Sequence, residues 1–302
     1  MTPLRFSFQA MASPCESVMC GVSWAHAAEV AKAVETEVRR IEAKYSRFTP
    51  DGVIGRINTT AYREPVALDE ETRSLMDYAD RLHRLSDGLF DITTGGLQSV
   101  WDFKNAVLPS PAALQAQLAH VGWHHVSIAD GQLRMDDPQV RIDLGGFGKE
   151  YAADRAAAVL QVAGITSGYV DLGGDIRVMG PKPDGSPWTI GIRHPRKPGE
   201  LIASLPVSLG SVATSGDYER YFIREGQRYC HILSPKTGMP VSYWQSISVL
   251  APMASIAGAT CTMAMLKEAQ GLNFLHETGF AFLAIDAHGQ PHTHTQMSNT
   301  HT

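Results

Sequence analysis

The segment Ile142-Asp-Leu-Gly-Gly-Phe-Gly-Lys-Glu-Tyr-Ala-Ala-Asp154 carries the sharpest chemical pattern in the 302-residue chain. It reads as a strand, a glycine-rich turn and the start of an alanine-rich helix. That order suits an anion: glycines let the backbone approach closely, and the free N–H groups of a helix start point at negative charge. Lys149, in the first helical turn, adds a formal positive charge. The same glycines also serve a plain tight strand-to-helix connection. The spacing is neither G-x-G-x-x-G nor G-x-x-x-x-G-K-[ST], so the usual dinucleotide and triphosphate loops are not matched.

Two further segments hold groups of chemical interest. Gly88-Leu-Phe-Asp-Ile-Thr-Thr-Gly-Gly-Leu97, followed by Trp101-Asp-Phe, brackets an apolar and acidic stretch with glycines. It could present backbone amides and Asp91 to a ligand; taken locally, a turn followed by a core strand is the better account. Ser211-Val-Ala-Thr-Ser-Gly-Asp-Tyr218 precedes Arg228-Tyr-Cys-His-Ile-Leu-Ser-Pro-Lys-Thr-Gly238, which places His231 at a strand end beside a Pro/Gly turn. A lone strand histidine is usually a core residue with its hydrogen bonds met, whereas element ends often carry chemistry.

Several elements must position these groups. Val30, Val34, Val38, Ile41 and Tyr45 recur at helical spacing and predict an amphipathic helix over 26–45. Asp69 caps a second helix with Leu75, Ala79, Leu82 and Leu85 inward and Gly88 as its stop. Strands are expected within 139–144, from Gly168 to Leu172, and at 188–193, 202–208, 219–224, 228–233, 246–251 and 279–285, with helices at 148–162 and near 254–267. From His288 onward, His292, His294 and His301 lie among Thr, Ser and Asn, and residues 288–302 read as a disordered polar tail after a domain spanning 1–287.

Composition narrows the function. With 44% hydrophobic and 19% charged residues the chain has enough apolar content for a large core. A net charge of −5 argues against a general nucleic-acid binder. No apolar run approaches the roughly 18 residues of a membrane helix, and the N-terminus lacks a basic-then-apolar leader, so a cytoplasmic location is expected. Cys15, Cys20, Cys230 and Cys261 read as buried free thiols.

In order and spacing these segments resemble the FAD:protein FMN transferase (ApbE-type) family from about residue 8 to 265. The resemblance is carried by Phe8-Gln-Ala-Met-Ala-Ser-Pro, Tyr45-Ser-Arg-Phe with Ile57-Asn58, Gly88-Leu-Phe-Asp-Ile-Thr, residues 142–154, Leu172-Gly-Gly-Asp-Ile, Thr214-Ser-Gly-Asp-Tyr, and His231-Ile with the following Pro-Lys-Thr-Gly. It implies a single α+β domain with a mixed β-sheet core and flanking helices. It also implies that FAD is the substrate and that its FMN moiety passes to a Thr or Ser hydroxyl of an acceptor flavoprotein, with AMP leaving. By the same resemblance Met11 and Phe48 flank the flavin ring, and the backbone at Leu89, Phe90 and Asp91 holds the nucleotide portion. Asp143, Lys149 and Leu233 add FAD contacts, Lys149 near the pyrophosphate, and His231 is the general base.

The resemblance also implies a Mg²⁺ site formed by the Gly146 carbonyl, an acid and a threonine spaced Asp-x-x-x-Thr. Here Thr262 is retained, Gly258 stands at the acid's position and Cys261 precedes the threonine. Glu150 replaces a usual glycine, Ser234 a usual aspartate, and Ala12-Ser13 the usual Gly-Thr. Magnesium prefers carboxylate oxygens. Restoring one with Gly258→Asp is therefore expected to lower the Mg²⁺ requirement. The alternative is an FAD-binding protein, or a slow FAD pyrophosphatase, that does not flavinylate a partner.

Overall fold

Ser23 accepts a hydrogen bond from the His26 amide and so opens helix α1 (Trp24–Tyr45), which follows the hairpin strands β1 (Leu4–Ala10) and β2 (Ser13–Met19). The buried face of α1 is the predicted stripe: Val30, Val34, Val38, Ile41 and Tyr45. This is a computed structural model, and it describes residues 2–294. After α2 (Val53–Thr60) and β3 (Val66–Ala67), Asp69 accepts from the Thr72 amide and caps α3 (Glu70–Leu85). Gly88, at φ +79°, closes that helix by donating its N–H to the His83 carbonyl. Leu85, expected inside, is 65% exposed, because the buried stripe ends at Leu82.

A short helix α4 (Pro111–Leu118) precedes β4 (Val126–Ala129) and β5 (Gln132–Met135), which form a small sheet with β3. Next come α5 (Gly148–Val162), β6 (Gly168–Leu172), β7 (Asp175–Gly180) and the hairpin β8 (Trp188–Arg193) with β9 (Leu201–Val207). They are followed by β10 (Gly210–Gly216), the hairpin β11 (Tyr221–Arg224) with β12 (Gln227–Cys230), and β13 (Trp244–Ala251). Helices α6 (Ala254–Leu266) and α7 (Gly271–Thr278) lead to β14 (Ala281–Asp286) and β15 (Pro291–His294).

The main sheet has eight strands in the order β1-β2-β6-β7-β10-β13-β14-β15. Helices α1, α5 and α6 lie side by side on one face, over β1–β2, β6–β7 and β10–β13 respectively. Helix α5 turns Ala152, Ala153, Ala156 and Ala157 inward, and these small side chains let it approach both neighbours. The expected α+β architecture is present, but every ladder is antiparallel, so the sheet is not mixed.

Three expectations change. Residues 139–144 form no strand and join no ladder beyond one bridge from Arg141 to Thr94. The Asn58 side chain takes both backbone groups of Ile142, accepting from its N–H (2.7 Å) and donating to its C=O (2.8 Å). The Ser/Thr-rich run after Gly210 is the central strand β10, missed because its buried hydroxyls break the apolar alternation. Residues 288–294 do not form a disordered tail: β15 pairs with β14, and His292 Nε2 meets Asp286 Oδ2 at 3.0 Å. Residues 295–302, with the rest of the expected tail and His301, lie outside the described residues. All four cysteines are buried and free, as expected. Among the described residues no helix is long and apolar enough to cross a membrane.

Candidate active site

Residues 143–149 thread most of the expected site residues together. Asp143 accepts from the Gly145 amide at 2.9 Å and pairs with Arg47 Nε at 3.1 Å. Arg47 lies 4.4 Å from the centre of the Phe48 ring, which is 76% exposed. The Met11 amide donates to Glu42 Oε1 at 2.6 Å, so Met11 and Phe48 both sit at the C-terminal end of α1. Met11 and Ala12 form the β1–β2 turn with φ of +51° and +55°, a left-handed backbone held without glycine. A Cβ on Gly146 would lie 2.8 Å from Phe90, so glycine is what lets this turn rest on the buried Phe90 ring.

The turn is less open to an anion than its glycines suggest. The Phe147 and Gly148 amides both donate to the Leu144 carbonyl, and the Gly145 amide is taken by Asp143. Positive charge comes instead from Lys149. Its Nζ is 2.8 Å from Asp175 Oδ2 and 3.4 Å from the Gly173 carbonyl, which leaves one ammonium N–H for a ligand. Burial pulls the Lys149 pKa down, but the charges of Asp175 and Glu150 outweigh it and hold the ammonium above its ordinary value. Space beside Gly173 is filled by Ser13 and by Lys149 Nζ, which brings the β1–β2 turn to the same place.

The positions expected to hold a cation lie where α5 begins and crosses α6. Among the described residues the Gly146 carbonyl accepts no backbone hydrogen bond, and Thr262 Oγ1 lies 3.2 Å from Ser215 Oγ on β10. Glu150 is buried against Gly258, and its Oε2 has no hydrogen-bond partner. Burial, then the nearby Asp175 charge, pushes the Glu150 carboxyl up. No group of three or more His, Cys, Asp or Glu side chains that could hold a metal occurs among the described residues. The carboxyl, the carbonyl and the hydroxyl are each oxygen donors of the kind Mg²⁺ uses together with water and substrate phosphates.

His231 follows the last residue of β12. Its Nδ1 is 3.3 Å from the Arg220 carbonyl, which can only accept, so Nδ1 carries the proton and Nε2 is left as a free acceptor. Burial, reinforced by the Arg220 charge, lowers its pKa from 6.5 to about 4, with a smaller push from Lys149. The imidazole is therefore neutral at pH 7. Unfolded chain takes up a proton at this histidine below 6.5 and the folded chain only near 4, so stability is lost as pH falls through that window. Imidazole NMR signals should show His231 titrating well below the ordinary histidine value; a midpoint near 6.5 would contradict this environment.

Other expected residues are placed differently. The Asp91 carboxyl is largely committed within the fold: it is buried and accepts from the Thr93 amide, the Thr93 hydroxyl and the Trp123 amide. Leu233 is buried in an aromatic cluster with Trp101, Phe222 and Tyr229, and only its backbone remains for a contact. Leu89 is partly buried against the α6–β13 core. A cavity of about 720 Å³ between α1, α3, α5 and α6, lined by residues such as Arg40, Tyr78 and Tyr151, contains none of the expected site residues. The site is assigned to the Lys149 constellation because that is where the complementary charges and the free base converge.

A sequence profile for the ApbE family matches residues 11–284. The chain belongs to the ApbE family. Its ApbE relatives include a Vibrio cholerae protein named FAD:protein FMN transferase, 34% identical over 221 residues, which are 70% of this chain and 66% of that protein. A Haemophilus influenzae protein of the same name is 29% identical over 83% of this chain and 77% of its own. The ApbE protein of Thermotoga maritima superposes with a TM-score of 0.90 at 32% identity over 97% of each chain. The flavin transferase ApbE from Vibrio cholerae superposes with a TM-score of 0.86 at 26% identity, also over 97% of each.

In this ApbE chain, sequence reasoning left several site residues unassigned. Asp175 holds Lys149, Glu42 holds the Met11 turn, Arg47 joins Phe48 to Asp143, and Ser215 meets Thr262. Asp175 and Arg47 lie inside the quoted segments Leu172-Gly-Gly-Asp-Ile and Tyr45-Ser-Arg-Phe, which was the available signal. Glu42 and Ser215 carried none, because their roles arise from contacts across the fold.

Proposed function

We propose that this chain binds FAD and transfers its FMN moiety to a Thr or Ser hydroxyl of an acceptor protein, with release of AMP and with Mg²⁺ as the cation. The observation that carries the reading is the neutral His231, with Nε2 free, within electrostatic reach of the Lys149–Asp175 pair. The names of its ApbE relatives support the same chemistry. The acceptor hydroxyl gives its proton to His231 Nε2 as its oxygen bonds to the phosphorus of the FMN half. The bond from that phosphorus to the bridging oxygen breaks, and AMP leaves with the electron pair. Lys149 meets the pyrophosphate charge, and Asp175 keeps the ammonium in place. Met11 and Phe48 offer a thioether and an aromatic face to the ring, while Asp143 and the 89–91 backbone serve the nucleotide portion. Gly146, Thr262 and the carboxylate beside them would hold Mg²⁺, which when bound offsets phosphate charge.

The decisive experiment mixes the protein with FAD, Mg²⁺ and a flavin-acceptor domain and reads flavin fluorescence of the acceptor on a denaturing gel. A fluorescent acceptor band is expected. A dark acceptor beside intact FAD binding would favour a carrier or slow pyrophosphatase instead. Calorimetric titration adds a second check: FAD should bind at least about tenfold more tightly than FMN, the worth of one or two polar contacts to the AMP half. Equal affinities would remove the nucleotide contacts at 89–91.

A further inference from the structure

Position 258 on α6 lacks a carboxylate, yet its side-chain space already holds one. A Cβ built on Gly258 would lie 2.4 Å from Glu150 Oε1, 2.5 Å from its Cγ and 2.7 Å from its Cδ. Glu150 comes from the first turn of α5, is 8% exposed, and leaves Oε2 without a partner. A buried carboxylate oxygen in that state is costly unless a cation or a proton meets it. The crossing is fixed by Asp154, one turn further along α5. Its two oxygens accept from the Ala254 and Ser255 amides (2.8 and 2.9 Å) and from the Ser255 hydroxyl, capping α6 from the neighbouring helix. Thr262 lies one turn beyond Gly258 on α6, and Gly146 lies in the turn that leads into α5, four residues before Glu150. The open carbonyl, the orphaned carboxylate oxygen and the hydroxyl thus belong to one helix crossing.

We propose that Glu150 supplies the carboxylate oxygen of a divalent-cation site completed by the Gly146 carbonyl and the Thr262 hydroxyl, and that residue 258 is glycine because Glu150 fills its side-chain space. The proposal rests on the cation-assisted flavin transfer above. It also reverses the expectation for Gly258→Asp: with Glu150 in place the new side chain has no room, so the substitution brings no gain in cation affinity.

The test is a Mn²⁺ titration followed by electron paramagnetic resonance, with FAD saturating and no acceptor present. Fluorescence quenching of FAD without metal and thermal melts serve as controls for each variant. Glu150→Gln keeps the shape and removes the charge, and should weaken Mn²⁺ binding by about tenfold or more. Gly258→Asp alone should not tighten it. The double variant Glu150→Gly with Gly258→Asp moves the carboxylate back to α6 and should recover most of the loss. If Glu150→Gln binds FAD and Mn²⁺ as the parent does, the proposal fails and Glu150 is a protonated core residue. If the parent binds FAD but no Mn²⁺, the proposal and the cation part of the transfer reading fail together. Normal Mn²⁺ binding, lost in Glu150→Gln, beside a dark acceptor overturns the transfer reading and leaves this site standing. Should the double variant misfold, the isosteric Glu150→Gln result decides alone.

Discussion

His231→Ala lowers the rate of flavin transfer by about 10²–10⁴-fold while FAD affinity stays nearly unchanged, the behaviour of a group that acts on the proton only in the transition state. The environment of His231 is already that of a base. Nδ1 is tied to the Arg220 carbonyl, and burial keeps the ring unprotonated. A hydroxyl is a weak nucleophile until its proton is taken, so loss of the acceptor nitrogen should appear in kcat and not in KM for FAD. The measurement is a stopped time course of acceptor fluorescence beside a calorimetric FAD titration. A variant that transfers at the parent rate would make His231 a core residue. One that loses FAD binding equally would make it a binding residue.

Lys149→Met is expected to have the largest effect on stability. Its ammonium is the counterion of Asp175, which is 3% exposed and whose carboxyl burial already pushes up. Removing one partner of such a pair leaves an uncompensated charge in the interior, at a cost of about 3 kcal/mol. The low end of the usual range applies because Asp175 can take up a proton. For a chain of this size that is a Tm drop on the order of 5 °C. Adding Asp175→Asn to Lys149→Met should restore most of the stability by deleting the stranded charge, yet leave FAD binding weak, since the phosphate partner is still missing. Thermal melts and FAD titrations on the single and double variants separate the two roles. Recovery of both properties in the double variant would show that Lys149 acts only through the fold.

Local pattern made part of this molecule readable. The α1 stripe, the Asp69 cap, the Gly88 stop and the helix at 148–162 depend on neighbours in sequence, and all are found. Lys149 and His231 stand out as candidates in the sequence because their segments carry their own turns. What failed to show has a common cause: it depends on residues far apart in the chain. Strand β10 carries hydroxyls that meet partners across the fold, Thr214 with Ser248 at 2.7 Å, which no alternation pattern reveals. The sequence alone leaves Asp91 free to serve a ligand or the fold, because its partners, Thr93 and Trp123, meet it only in the folded chain. Glu150 looked like a minor exchange for glycine, and Gly258 like a loss. Only the α5–α6 crossing shows that the two changes concern the same space.

The hold that Asn58 has on Ile142 sets how the glycine-rich segment can vary over evolutionary time. A strand in a ladder is secured by many peptide groups, each indifferent to the side chain it belongs to, so its sequence can drift while its position stays put. Ile142 is secured through one side chain whose amide matches both of its backbone groups. Changing that side chain costs one or both bonds: aspartate can still accept from the Ile142 N–H but cannot donate to its carbonyl, and glutamine reaches one methylene too far for either. The turn that carries Lys149 thus leans on one side chain 84 positions upstream of Ile142, alongside the backbone bond from Asp143 to Ile92, and at Asn58 the tolerance to substitution that a sheet confers on its members is lost.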